Sequence, residues 1–243
     1  MKRAVTGLFL LLFVFLTSPV ATRSNTITDF DERTRRSTLL QPGSPVGEIN
    51  PQALDLAMRG YYNLKRQGLI RREGILTLID FDKPSVSERL YVIDINTGKI
   101  LHSSLVAHGK GSGDIMATRF SNRPGSKESS LGFYLTEATY SGKNGYSLVL
   151  RGLDHGINDK AEMRSIVMHG ADYVSPEYVR RFGRLGRSQG CPAISFETCQ
   201  QLIDLIKDGT CLFIYRTGKD YASRSGVLNP GTAFRSGRKA NPV

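Results

Sequence analysis

The sequence predicts one mainly β domain with a helix at each end. Three observations carry this. Short β-branched runs (ILTLIDF, RLYVIDI, ILHSSLVAH, LGFYLTEATY, SLVLRGL, SIVMHG and CLFIY) recur between turn signals along residues 75–215, the pattern of strands. Only two segments repeat apolar residues at convincing helical spacing, and they flank the domain. No internal repeat or composition break divides residues 50–216, and a chain of 243 residues, 40% hydrophobic, can bury a proper core.

In chain order, residues 1–24 (MKRAVTGLFLLLFVFLTSPVATRS) set two basic residues before an apolar run and a small-residue stretch. They read as a signal peptide, so the mature protein is expected in the periplasm or cell envelope. The run is too short for a comfortable membrane span, and no later segment approaches ~20 apolar residues. No integral span is therefore expected in the mature chain. Residues 25–49 are polar and read as a linker. In INPQALDLAMRGYYNLKRQGLI, Ala53, Leu56, Ala57, Tyr61 and Leu64 share one helical face. Asn50 suits the N-cap, Pro51 the first turn, and Gly68 ends the helix. Asn96-Thr97-Gly98 signals a turn between strands. The second helix, FETCQQLIDLIKDG, is capped by Ser195 and stopped by Gly209 before a closing strand.

Residues 217–243 are rich in Gly, Ser and Pro and read as a flexible basic tail. Over residues 216–243, Arg216, Lys219, Arg224, Arg235, Arg238 and Lys239 oppose only Asp220, so nearly half of the formal charge of +11 sits at this end. No basic helix or aromatic-interleaved strand accompanies it, which argues against nucleic acid and for an anionic envelope polymer.

The chain has three cysteines and four histidines. Cys199 and Cys211 fall on apolar faces of the last helix and strand, whereas Cys191 sits in the Gly190-Cys191-Pro192 turn and is the exposed thiol. A thiol is mostly protonated at neutral pH and needs a base or a cation to become nucleophilic. His169, which ends the run SIVMHG, lies where a strand delivers a side chain to a loop. No H-x-H, H-E-x-x-H or C-x-x-C spacing occurs, which argues against a zinc hydrolase. HGKGSG lacks phosphate-loop spacing and reads as a lid or substrate loop, with His108 facing the cleft.

IVMHGADY, followed by GRSQGCPA with Cys191 22 positions after His169, resembles the signature of the murein L,D-transpeptidases (YkuD-type). VAHGKGSG, FSNRPGSKESSLGFYLTEATYSG and LRGLD extend the resemblance over residues 50–216. It implies a β-sandwich-type catalytic domain in which His169, oriented by the Gly170 carbonyl, deprotonates Cys191. The thiolate then attacks the carbonyl between diaminopimelate and terminal D-Ala of a peptidoglycan stem tetrapeptide. A thioester forms, and an amine or water resolves it, with no metal or organic cofactor needed. Gly190 and Ser188 are expected to serve the oxyanion and substrate, with Arg187 supplying positive charge. The chain is expected to act as a monomer on peptidoglycan stem peptides. Two positions depart from the family's habit: Gln189 stands where a second histidine is common and Ala193 where an arginine is common. They leave open a wall-binding module that has lost turnover. A cell-wall cysteine peptidase is a further alternative, although such enzymes mostly place the cysteine before the histidine.

Overall fold

A computed structural model describes residues 31–231 apart from residues 42, 45 and 219. The signal-peptide reading and the end of the basic tail lie outside the described residues. In order along the chain come α1 (residues 31–39), α2 (Pro51–Arg66), β1 (Ile75–Asp80), β2 (Leu90–Asp94), β3 (Lys99–Ser104), β4 (Gly132–Gly142) and β5 (Gly145–Gly152). Then follow β6 (Val167–Gly170), α3 (Pro176–Phe182), β7 (Ala193–Ile194), α4 (Phe196–Ile206), β8 (Cys211–Tyr215) and α5 (Tyr221–Arg224).

The strands join in the order β3-β2-β1-β8-β4-β5-β6-β7. β1 pairs with β8, and β6 with β7, in parallel; the other pairings are antiparallel. The sheet rolls until its ends meet. Ala107, just beyond β3, bridges Ala193 of β7, each N–H donating to the other's carbonyl at 2.8 and 3.3 Å. The fold is barrel-like and mostly β with a few helices.

Strand alternation divides the core into two layers. Leu76, Leu78, Tyr91, Ile93, Cys211 and Phe213 turn towards the apolar face of α2. Ile79, Val92, Leu148, Met168, Leu212 and Ile214 turn the other way, onto Leu202, Ile203 and Ile206 of α4. The caps form where the sequence puts them. The Asn50 side chain accepts from the Gln52 and Ala53 N–H groups at the start of α2, and Ser195 accepts from Thr198 N–H at the start of α4. Among the described residues, no helix is long and apolar enough to cross a membrane.

Two boundaries differ from the sequence reading. Residues 31–49 are not an extended linker: α1 forms there, and Leu39, Val46 and Ile49 bury their side chains against the α2 layer. The tail folds as far as residue 231, because Tyr221, Val227 and Leu228 are buried in the same layer. Polarity in these stretches faces solvent while single apolar residues, too sparse to show a period, reach the core. α3 and β7 are also additions. Ser175 caps α3 through Tyr178 N–H at 3.1 Å ahead of Pro176, a start signal legible in SPEY. β7 has two residues, too few for any periodicity.

Candidate active site

β6 and β7 bring the two halves of the site together. Their parallel register sets His169 beside Ala193, so the turn entering β7 carries Cys191 alongside β6. Cys191 and His169 line one cleft of about 490 Å³, together with Tyr140, Lys143, Arg164, Tyr173 and Arg187.

His169 is 6% exposed and its Nδ1 lies 2.9 Å from the Gly170 carbonyl oxygen. A carbonyl can only accept, so Nδ1 carries a hydrogen, and in the neutral ring Nε2 keeps its lone pair. That tautomer is the one a general base at Nε2 needs. The Gly170 position itself is closed to a larger residue, since a Cβ there would meet the Phe196 ring at 2.6 Å.

Cys191 is half-buried and its Sγ donates to Ser165 O at 3.6 Å. Burial pushes the thiol up from its ordinary value, against the opposing pull of the Val167 N–H and the Arg164 charge. Burial thus favours the protonated form of the thiol at rest. The turn holding it is built by tight backbone contacts. Gly190 has φ +131°, and a Cβ at Gly109 would meet Gly190 Cα at 2.8 Å, so the two glycines let these loops touch. Ser129 ties the pair, accepting from Gly109 N–H and donating to Gly190 O, both at 3.0 Å.

Four expected contacts fall elsewhere. Ser188 builds the turn: its hydroxyl accepts from Gly190 N–H at 3.0 Å and donates to Cys191 O at 2.6 Å. The Gly190 N–H is thereby committed to Ser188 and is not a free oxyanion donor. Arg187 lines the cleft, but its charge pairs with Asp114 at 3.2 Å and its Nη1 donates to Gly113 O at 2.8 Å. His108 does not face the cleft. It is fully buried, and its Nδ1 accepts from Arg89 Nη2 at 2.9 Å. Burial, and then the neighbouring Arg89, depress its pKa to about 4. Its backbone still serves the site, since His108 O accepts from Ser188 N–H at 3.0 Å.

Sequence reasoning missed Arg164, which donates to Ser121 O at 2.6 Å and to Glu128 O and whose charge reaches Cys191. It also missed Lys143, at the turn between β4 and β5. Neither lies in a periodic or motif segment. Cys199 and Cys211 are buried, as their apolar positions implied, and form no disulfide.

The model of the L,D-transpeptidase catalytic domain family matches residues 46–215. No curated protein matches the chain. Among solved structures, it is similar to an L,D-transpeptidase from Mycobacterium smegmatis, at 14% identity and TM-score 0.36, covering 59% of each chain. It is also similar to L,D-transpeptidase 3 from Mycobacterium tuberculosis, at 12% identity and TM-score 0.37, covering 59% of this chain and 60% or more of that one. A mutant Enterococcus faecium L,D-transpeptidase matches at 14% identity and TM-score 0.35, covering 59% of this chain and 50% of that one. The chain thus spans 50–61% of the length of these solved structures.

Proposed function

The chain belongs to the L,D-transpeptidase catalytic domain family, and from that premise we propose that it is an exported cysteine acyltransferase of peptidoglycan. The leader of residues 1–24 delivers it to the periplasm or envelope. The donor is a stem tetrapeptide, and the bond attacked joins diaminopimelate to the terminal D-Ala.

The observation that carries this reading is the His169 hydrogen bond to Gly170 O, which leaves Nε2 as acceptor in the cleft that Cys191 also lines. Because the thiol rests protonated, His169 removes its proton as sulfur attacks, acting as a general base. The sulfur–carbon bond forms, and the carbonyl electrons move onto oxygen. The backbone N–H of Cys191, at the start of the turn into β7, then stabilises the oxyanion. When the tetrahedral intermediate collapses, the imidazolium returns its proton to the leaving D-Ala amine. A thioester remains. An amine from a second stem displaces Cys191 to form a cross-link; water in its place gives carboxypeptidase chemistry. Neither metal nor organic cofactor takes part in this scheme, and one chain carries both His169 and Cys191.

The test is mass spectrometry of the purified protein and of muropeptides after incubation with tetrapeptide donor. An acyl adduct on Cys191, loss of D-Ala, and abolition of both by Cys191→Ala are expected. Reversible retention of muropeptides without an adduct would leave a wall-binding module instead.

A further inference from the structure

The cleft around Cys191 has an unequal charge lining. Lys143, Arg164 and Arg187 border it, and no carboxylate does. Two of these cations are already engaged. Arg187 pairs with Asp114, and Arg164 is held by the carbonyls of Ser121 and Glu128 and by the Ser130 hydroxyl. Lys143 is exposed and has no hydrogen-bond or ion-pair partner among the described residues.

How Lys143 reaches the cleft follows from the strands. β4 is the longest strand, with 11 residues, and its outer part from Ala138 onward is largely exposed. A register shift between Thr136 and Thr139 interrupts its pairing with β5, the kind of irregularity that re-aims a hairpin. The arm beyond it brings Tyr140, Lys143 and Asn144 to the cleft. The Lys143 charge is among those acting on the Cys191 thiol, so it bears on the reacting centre as well as on the rim.

We propose that Lys143 is a specificity residue that pairs with a free carboxylate of the acyl donor next to the scissile bond. The proposal rests on the donor assignment above. An ammonium on a flexible stem suits this role, since it can meet a carboxylate in the cleft without a fixed geometry. Two donor carboxylates have this chemistry: that of the terminal D-Ala and that of the diaminopimelate side-chain centre.

The experiment compares the tetrapeptide with two analogues, one amidated at the D-Ala carboxylate and one at the diaminopimelate side-chain carboxylate. kcat/KM is measured for the wild type, Lys143→Gln and Lys143→Arg. In parallel, the Kd of each peptide is measured for Cys191→Ala with and without Lys143→Gln. One amide should be poorer than the free acid by about five- to tenfold in the wild type, the size of a single partly solvated ion pair. Lys143→Gln should bring that ratio near one, Lys143→Arg should restore it, and added salt should shrink it. The Kd ratios should follow the same pattern. Which amide is discriminated assigns the carboxylate. If wild type and Lys143→Gln discriminate equally, or neither amide is discriminated, the proposal is overturned while the donor assignment stands. Absence of both turnover and binding of the tetrapeptide would overturn the two together.

Discussion

At the scale of single residues, the site is defined by two hydrogens. The one on His169 Nδ1 is held by Gly170 O, and the one on Cys191 Sγ is favoured by burial. Only the thiolate alkylates, so a raised pKa delays reactivity to higher pH. Iodoacetamide labelling of Cys191 at pH 7 should be slower than that of a model thiol, and its rate profile should inflect above the ordinary ~8.5. Arg164→Met should move the inflection higher, because the guanidinium favours the thiolate. His169→Ala should shift it little while lowering acyl transfer by roughly 10²–10⁴, the usual worth of a general base. An inflection below ~8 in the wild type that rises in His169→Ala would instead establish a resting ion pair. Both partners were legible in the sequence as types and positions. The protonation state was not, because it depends on how deeply the turn is buried and on Arg164, a distant cation in an unpatterned loop.

Among the elements, α5 and the residues after it show how a polar segment can be indispensable. Asp154 is fully buried, and its carboxylate accepts from Phe133 N–H and from three groups of this segment. These are Tyr221 Oη at 2.8 Å, Ser225 Oγ at 2.6 Å and Val227 N–H at 3.3 Å. Ending the chain at Arg216 removes those donors and uncovers the apolar surface beneath Tyr221, Val227 and Leu228. At ~1.5–3 kcal/mol for each buried side chain, the loss is on the order of 5 kcal/mol before the stranded carboxylate is counted. That approaches the whole stability of a typical domain. A chain ending at residue 216 should therefore unfold at much lower urea or fail to fold, whereas one ending at residue 231 should keep its urea midpoint. Equal midpoints for the two would mean that the segment is dispensable. The long elements were readable because α2 and α4 repeat many apolar residues with matching caps. This segment was not, since Tyr221, Val227 and Leu228 follow no single period, and Asp154, the carboxylate to which Tyr221 and Val227 donate, lies far back in the chain.

Across the whole molecule, the sheet order explains why strand content was more legible than its arrangement. Each of β1–β6 and β8 has its own alternation or apolar run, but nothing in CLFIY announces that β8 inserts between β1 and β4. The Ala107–Ala193 bridge carries this furthest. It joins segments far apart in the chain, and the turn it anchors also touches Gly109 and Ser129. Contacts of such long sequence separation require the closure of large loops and tend to form late. Refolding should consequently proceed in two observable stages. Far-UV circular dichroism should recover first, as the hairpins and helices assemble, and the native alkylation profile of Cys191 should return only afterwards. Simultaneous recovery would show that ring closure belongs to the first cooperative step. During the interval the protein would have its strands but no finished nucleophile, leaving the thiol open to stray oxidants and premature disulfides in the compartment where it is proposed to work.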